Sequence, residues 1–183
     1  MAVSTPENPD LGSSCPPFRL PNVNGNEFSI DDIQGYKALL VMFICNHCPY
    51  VQAIEDRLVE LGQYMKKLGQ PMIAICSNDA VNYPDDSFEK MKVKATQKNY
   101  PFPYLHDESQ EVAKAFGAIC TPDFFLYDSN RKLAYRGRLD DSWKDPSKVT
   151  TEDLKMAIDY LLKDQTPETK QIPSMGCSIK WKS

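Results

Sequence analysis

Hydrophobic and polar positions fall into two alternating patterns along the central part of the chain. After Lys37, residues 38–44 form an unbroken apolar run, which is typical of a strand covered on both faces. Apolar residues then recur at three- and four-residue steps from Val51 to Leu68, and Gly69 closes the run, so this stretch predicts a long amphipathic helix. Residues 72–76 form a second short apolar run. Two strands joined through a long helix predict a parallel pair.

Weaker patterns predict the remaining elements. A hairpin is expected where Asn24-Gly25 separates two short strand-like stretches. Asp86 and Thr150 each have an acidic residue three positions later, a spacing that predicts a capping box at a helix start. The other expected elements are helices over 86–98, 110–116 and from 150 onward, a short strand over 103–106, and a second hairpin joining 124–128 to 133–139. Together these elements predict an α/β fold in which helices flank a mixed central sheet and an N-terminal β-hairpin precedes it.

Length and composition indicate one globular domain. The chain has 183 residues, of which 42% are hydrophobic and 25% are charged, so it can bury a core without cross-links. We therefore expect a single domain over residues 1–183, with flexible segments at the polar, proline-containing ends, 1–16 and 165–183. A formal net charge of −4 gives no electrostatic reason to bind nucleic acid or an acidic membrane surface.

The expected location is cytoplasmic. The N-terminal residues lack the basic and apolar regions of a signal peptide, and the longest apolar run is too short to span a bilayer. Thiols in the cytosol are kept reduced. The six cysteines are therefore expected to be buried small hydrophobes, metal ligands or redox-active groups, and not a structural disulfide framework.

The motif Cys45-Asn46-His47-Cys48 lies where the first buried strand ends and the long helix begins. Unpaired backbone N–H groups at a helix N-terminus carry partial positive charge, so they stabilise a cysteine thiolate. A thiolate attacks a disulfide, and a second cysteine one helical turn on can then attack the resulting mixed disulfide. This placement indicates a redox-active pair; the alternative is two core cysteines that share the spacing by chance.

Three stretches of the chain resemble the thioredoxin superfamily, and within it the redoxin or alkyl hydroperoxide reductase/thiol-specific antioxidant (AhpC/TSA) branch. Residues 17–29 resemble the N-terminal hairpin of that branch, and residues 45–50 stand at its active-site turn. Thr121-Pro122 precedes a strand at the position of its cis-proline. The resemblance, which covers most of residues 17–163, implies a thioredoxin-like three-layer fold and thiol-disulfide oxidoreductase activity without a cofactor.

The resemblance also implies roles for individual residues. Cys45 would be the attacking thiol and Cys48 the resolving thiol. Pro122 would be a cis-proline that faces them, and the backbone of Thr121 would hold an incoming chain by strand-like hydrogen bonds. The partners implied are protein or small-molecule disulfides and a cellular thiol reductant.

Asn46, His47 and Pro49 complete the turn as supporting residues. A protonated or hydrogen-bonding His47 would stabilise a neighbouring thiolate and make the disulfide more oxidising; the alternative is an exposed histidine without a role. Two other positions depart from the thioredoxin pattern. Ile44 stands where Trp commonly precedes the first cysteine, and Leu39 stands where many members have a buried acidic residue. Proton transfer would then depend on another group, such as water or His47.

A thiol-dependent peroxidase is the main alternative, since Cys48-Pro49 also resembles the Cys-Pro of peroxiredoxins. Those enzymes have Thr or Ser three residues before the peroxidatic cysteine and Pro four residues before that, whereas this chain has Cys45 and Val41. A peroxide pocket also needs an arginine to polarise the O–O bond. The candidates are Arg131, Arg136 and Arg138.

Two further cysteines are possible redox thiols. Cys120 directly precedes Thr121, so the fold would bring it near the active-site turn, either as a third thiol or as a small buried hydrophobe. Cys177 lies in the C-terminal tail and could fold back to resolve a disulfide at Cys45, pair with Cys120, or be idle.

A non-enzymatic metal protein is the remaining alternative. Cys45, His47 and Cys48 are soft or borderline ligands that could bind Zn²⁺ or Cu⁺. A second CxxC motif is absent, and His106 is the only other histidine. We therefore expect no metal at the site.

Overall fold

The computed structural model describes residues 2–7, 9–168 and 170–182. In chain order the strands are β1 (Ala2–Ser4), β2 (Arg19–Pro21), β3 (Glu27–Ser29), β4 (Ala38–Phe43), β5 (Met72–Cys76), β6 (Tyr104–His106), β7 (Cys120–Thr121), β8 (Asp123–Asp128), β9 (Leu133–Tyr135) and β10 (Met175–Ser178). The α-helices are α1 (Pro49–Lys67), α2 (Phe88–Gln97), α3 (Glu111–Phe116) and α4 (Asp153–Leu162). None of these helices is long and apolar enough to cross a membrane.

A five-stranded mixed sheet, in the order β6-β5-β4-β8-β9, forms the centre of the fold. Strand β4 pairs in parallel with β5, and β5 pairs in parallel with β6. Strands β8 and β9 run antiparallel and form the other side of the sheet. The predicted α/β class, with a parallel core and an antiparallel edge, is therefore confirmed.

Helices and loops cover both faces of β4, which explains its unbroken apolar sequence. Ala38, Leu40 and Met42 point into a core that α1 and α4 complete. Leu39, Val41 and Phe43 point into a second core formed with α3 and with the region around the N-terminal hairpin. Successive side chains of a strand face opposite sides, so both cores need apolar residues at alternate positions.

The N-terminal hairpin is confirmed as β2 paired with β3, where Leu20 lies opposite Phe28. Gly25 has a φ of 92°, a conformation that glycine adopts without steric cost. The start of α4 differs from the prediction. The helix begins at Asp153 without a side-chain cap, because the hydroxyl of Thr150 hydrogen-bonds to Asp141 instead.

The chain ends differ most from the prediction. Residues 1–16 and 165–183 were expected to be flexible, yet their described parts contribute β1 and β10 to a three-stranded sheet of order β1-β10-β7. Strand β10 lies between β1 and β7, and both pairs are antiparallel. The short β7 directly precedes Pro122. The two ends of the chain therefore reach the region that the sequence assigns to the active site.

Candidate active site

Cys45 and Cys48 lie in the turn between β4 and α1, as predicted. Cys48 is the N-cap residue of α1, and Pro49 is the first residue of the helix, where a missing N–H costs nothing. The side chains of both cysteines are buried, with relative exposures of 2% and 0%. The turn therefore places two thiols at the positively polarised end of a long helix, beneath the surface.

Each of the two thiols shifts the pKa of the other. Hydrogen bonding from Cys45, with smaller contributions from Thr121 and the backbone N–H of Val51, lowers the pKa of Cys48 despite its burial. The same hydrogen bond, together with burial and the Asp86 carboxylate, raises the pKa of Cys45. Cys48 Sγ also lies 3.1 Å from the carbonyl oxygen of Thr121, to which its thiol form donates. A thiolate at Cys48 would lose this contact, since a carbonyl oxygen only accepts, so the site has hydrogen-bond partners for a proton on either sulfur.

His47 has a fixed position beside Cys45. Its Nδ1 lies 2.5 Å from Asp86 Oδ2 but 3.9 Å from Cys45 Sγ. An ionised carboxylate only accepts hydrogen bonds, so the Nδ1 proton points to Asp86 and the contact with sulfur is the weaker one. The ring of Tyr83 stacks on the imidazole, with centroids 5.3 Å apart. Asp86 and Tyr83 together orient the histidine towards the thiol pair.

Asp86 is a fully buried carboxylate that holds the active-site turn from outside it. Its Oδ1 accepts the backbone N–H of Asn46 at 2.7 Å and that of His47 at 3.3 Å. Its Oδ2 accepts the side-chain amide of Asn78 at 2.8 Å, in addition to the imidazole. The predicted capping box is therefore wrong: α2 begins at Phe88 without a side-chain cap.

Asn46 is buried and anchors the turn through its side chain as well. Its amide donates to the backbone oxygen of Asp85 at 2.8 Å and accepts the hydroxyl of Tyr104 at 3.1 Å. Gln52 donates to the Asn46 carbonyl at 2.8 Å. These bonds tie the turn to β6, to α1 and to the segment before α2, so the turn is rigid although it is a loop.

The Thr121–Pro122 peptide bond is cis, as predicted. Thr121 contacts both thiols, because its hydroxyl lies 3.4 Å from Cys45 Sγ and its carbonyl lies 3.1 Å from Cys48 Sγ. The expectation that its backbone is free to pair with an incoming chain is wrong. Cys177 of β10 lies opposite Thr121 in the antiparallel register, so the protein's own strand occupies that pairing edge.

Cys177 therefore lies at the site, opposite Thr121, and its side chain packs against the core that contains Cys45 and Cys48. The predicted fold-back of the C-terminal tail onto the active site is thus seen as a strand. Cys120 is fully buried, and its thiol donates to the carbonyl of Pro122 at 3.4 Å. Burial raises the pKa of Cys120 above the usual range, which favours its interpretation as a small core residue.

The three candidate arginines are engaged in ion pairs away from the thiol pair. Arg136 binds Asp123 at 2.9 Å and lies over the ring of Phe125, with its guanidinium carbon 4.4 Å from the ring centre. Arg131 binds Asp31 at 2.7 Å, and Arg138 binds Asp153 at 2.9 Å. None of the three supplies the cation that a peroxide pocket needs beside the reactive sulfur.

An apolar groove with a volume of about 260 Å³ adjoins Pro122. Tyr50 and Trp143 line it with ring centroids 4.3 Å apart, and the exposed side chains of Ile172 and Met175 form part of its wall.

Cys45, His47 and Asp86 are a potential metal-binding group, since their ligand atoms lie within 4.8 Å of one another. The donors are already used within the protein. Each oxygen of Asp86 accepts two hydrogen bonds, and Nδ1 of His47 supplies one of them. A metal ion at this position would have to break these bonds, so the arrangement fits a hydrogen-bonded thiol site better than a metal centre.

This combination of fold and site is that of a thioredoxin-like protein. The structure of a putative thioredoxin from Neisseria meningitidis has the same fold, with a TM-score of 0.64, 22% identity, and coverage of 85% of this chain and 95% of that one. The chain belongs to the AhpC/TSA family, whose model matches residues 11–136. The family and fold predicted from sequence are both confirmed.

The chain is similar both to proteins with a named activity and to solved structures of proteins without one. The thiol-disulfide oxidoreductase ResA of Bacillus cereus is 26% identical over 130 residues, which cover 71% of this chain and 70% of that protein. An uncharacterised conserved protein from Geobacillus kaustophilus is 48% identical, with a TM-score of 0.94 and coverage of 100% of this chain and 97% of that one. A hypothetical protein from Sinorhizobium meliloti 1021 is 42% identical, with a TM-score of 0.92 and coverage of 98% of both chains.

Proposed function

We propose that this protein is a thiol-disulfide oxidoreductase whose redox centre is the Cys45–Cys48 pair. The observation that carries the proposal is the pair of buried thiols in the turn at the N-terminus of α1, beside the cis peptide bond of Thr121–Pro122. A thiolate is the form of cysteine that attacks a disulfide. The similarity to ResA proteins supports the same chemistry.

In the proposed reaction Cys45 is the sulfur that meets the substrate. It faces the half-buried His47, whereas Cys48 is enclosed by the Thr121 carbonyl and Cys177. Moving a proton from Cys45 to Cys48 places the thiolate on Cys45. That thiolate bonds to one substrate sulfur, and the other substrate sulfur leaves with the electron pair and takes up a proton. Cys48 then loses its proton and attacks Cys45, which forms the Cys45–Cys48 disulfide and releases the second substrate thiol.

The groove beside Pro122 is the proposed binding surface for the substrate. Tyr50 and Trp143 would contact an apolar segment next to the substrate disulfide. Because β10 covers the edge of β7, side-chain contacts in this groove would hold the substrate, and backbone pairing with Thr121 would not. The substrates would be protein or small-molecule disulfides, with a cellular thiol as reductant, and a cytosolic location stays a prediction.

Trapping experiments test the proposal. With a disulfide-containing peptide as substrate, Cys48→Ser should accumulate a mixed disulfide at Cys45, because the resolving sulfur is missing. Cys45→Ser should not accumulate one at Cys48, and both variants should lose at least about 100-fold in turnover. Cys15→Ser is the matched control, because that thiol is also buried but belongs to the opposite core.

Peroxide turnover by the same variants separates the alternatives. Peroxidase activity that depends on Cys48 alone, without disulfide reduction, would replace the proposed function by that of a thiol peroxidase. Stoichiometric zinc or copper in protein purified without chelator, with neither activity present, would identify a metal-binding protein. Loss of disulfide reduction in both serine variants, with Cys15→Ser fully active, is the result that supports the proposal.

A further inference from the structure

The C-terminal strand β10 occupies an unusual position for a terminal segment. It pairs with β7 directly before Pro122 and is covered on its other edge by β1. Gly176 permits this approach, because a Cβ at that position would lie 2.1 Å from the carbonyl oxygen of Thr121. The next residue, Cys177, is only partly buried and faces the redox centre.

Three thiols therefore meet at Thr121. Its hydroxyl lies 3.4 Å from Cys45 Sγ, and its carbonyl lies 3.1 Å from Cys48 Sγ. Cys177 is its partner in the β7–β10 register, and the side chain of Cys177 packs against the core that contains Cys45 and Cys48. Because both other thiols lie beside the same residue, Cys48 can form a disulfide with either of them.

We propose that Cys177 is a third redox thiol that exchanges with Cys48 and moves the disulfide from Cys45–Cys48 to Cys48–Cys177. The inference deepens the proposed function, on whose exchange chemistry it rests. Cys177 loses its proton and its sulfur bonds to Cys48. The Cys45–Cys48 bond breaks, and Cys45 leaves with the electron pair and takes up a proton. The step is an isomerisation, so it needs no external oxidant or reductant.

This exchange would separate the two halves of the catalytic cycle in space. Cys45 faces His47 and Asp86, whereas Cys177 lies across Cys48 in the terminal sheet. After the disulfide moves, Cys45 is again a thiol that is able to meet substrate, while the oxidised bond is carried by a strand with a partly accessible cysteine. One molecule of a small thiol reductant would then bond to Cys177 and release Cys48 as a thiol, and a second molecule would release Cys177 and leave as the reductant disulfide.

Disulfide mapping of a variant without Cys45 tests the inference directly. Cys45→Ser is oxidised with diamide, quenched with acid, alkylated with N-ethylmaleimide in denaturant and digested without reduction. A Cys48–Cys177 disulfide should form in most molecules, and Cys45→Ser/Cys177→Ser should yield none. The matched control is Cys45→Ser/Cys120→Ser, which should retain the link because the Cys120 thiol is bonded to the Pro122 carbonyl instead.

The inference is overturned if Cys48 is recovered as its N-ethylmaleimide adduct, which marks a thiol that formed no disulfide. It is also overturned if Cys48 pairs with Cys120 or links only to a second copy of the chain. Cys45→Ala provides a second background, and a circular dichroism spectrum equal to that of the wild type shows which variants are folded. Mapping needs no substrate, so the two proposals can fail separately. A Cys48–Cys177 link in a protein without disulfide reductase activity would remove the proposed function only, whereas an active enzyme without the link would remove the third thiol only.

Discussion

The two sides of the Cys45–Cys48 pair are built from different kinds of chain. On one side, a continuous segment of strand, turn and helix carries His47, and a buried Asp86 holds it from the short 3₁₀ helix Pro84–Asp86. On the other side, a terminal strand carries Cys177 and is held by its pairing with β7 and β1. One side is fixed by hydrogen bonds to a carboxylate and the other by backbone pairing and a close glycine contact.

This difference indicates how each side responds to change. The carboxylate side concentrates four hydrogen bonds on one buried residue, so losing that residue affects the whole turn. The strand side spreads its bonds over two strand pairs, so it should detach locally and leave the central sheet intact. Variants that affect one side only can therefore separate the contribution of the turn from that of the terminal sheet.

The largest effect is expected for Asp86→Ala. The change leaves the N–H groups of Asn46, His47 and Asn78 without an acceptor in a buried place, which should cost about 3 kcal/mol in the free energy of unfolding. Urea unfolding measures this loss. Asp85→Ala is the control, since the Asp85 side chain is exposed and only its backbone oxygen contacts Asn46. Equal stability of the two variants would contradict the anchoring role of Asp86.

Gly176→Ala should disturb the opposite side. The added Cβ would meet the backbone of Thr121 at 2.1 Å, and neither partner is a flexible side chain, so β10 must shift at a cost of about 2 kcal/mol. Alkylation of Cys177 should then become faster, while the fluorescence and circular dichroism spectra of the protein change little because the central sheet stays intact. Met175→Ala, an exposed position of the same strand, is the control. An unchanged alkylation rate in Gly176→Ala would show that β10 does not hold the cysteine.

A smaller effect is expected for His47. Its Nδ1 lies 3.9 Å from Cys45 Sγ, which is long for a hydrogen bond. We therefore expect it to stabilise the Cys45 thiolate by about 1 kcal/mol. Removing the imidazole should lower the reduction potential of the Cys45–Cys48 disulfide by about 20 mV, measured by equilibration with glutathione. His47→Ala is a cleaner change than His47→Pro, because proline also removes the N–H that donates to Asp86 at 3.3 Å. An unchanged potential would leave the histidine without a redox role.

Sequence patterns predicted the turn side well because its determinants are local. The apolar run of β4, the helical periodicity of α1 and the spacing of Cys45 and Cys48 all lie within one stretch of chain. The same local reasoning misassigned Asp86, since its spacing to Glu89 matches a capping box, whereas the buried N–H groups of a distant turn are its actual partners. Whether a carboxylate caps its own helix or binds the N–H groups of another segment depends on how the chain packs around it, and no short sequence pattern contains that information.

The terminal sheet could not be predicted for a related reason. Strands β1 and β10 are three and four residues long, and their sequences are polar or rich in small residues, so they lack the alternation that indicates a strand. They form strands because β10 pairs with β1, from the opposite end of the chain, and with β7. A single signal was visible in the sequence: Gly176 next to Cys177, a small residue that permits close approach beside a reactive one.

The smallest expected effect is a change in the pH dependence of Cys177. Burial, and then the neighbouring Cys48, raises the pKa of Cys177 to about 11, while Lys180 acts in the opposite direction. Thiolate is the reactive form, and its fraction rises tenfold per pH unit below the pKa. Labelling of Cys177 by iodoacetamide should therefore still increase from about pH 8 to about pH 10, where an ordinary thiol levels off.

The Cys48→Ser variant sharpens this measurement. Removing the Cys48 sulfur takes away the contribution that raises the pKa of Cys177, so the labelling curve should move to lower pH. Cys15→Ser, which changes a thiol in the other core, should leave the curve in place. A wild-type curve that levels off near the ordinary pKa of about 8.5 would place Cys177 in open solvent, and the three thiols would then not lie together in solution.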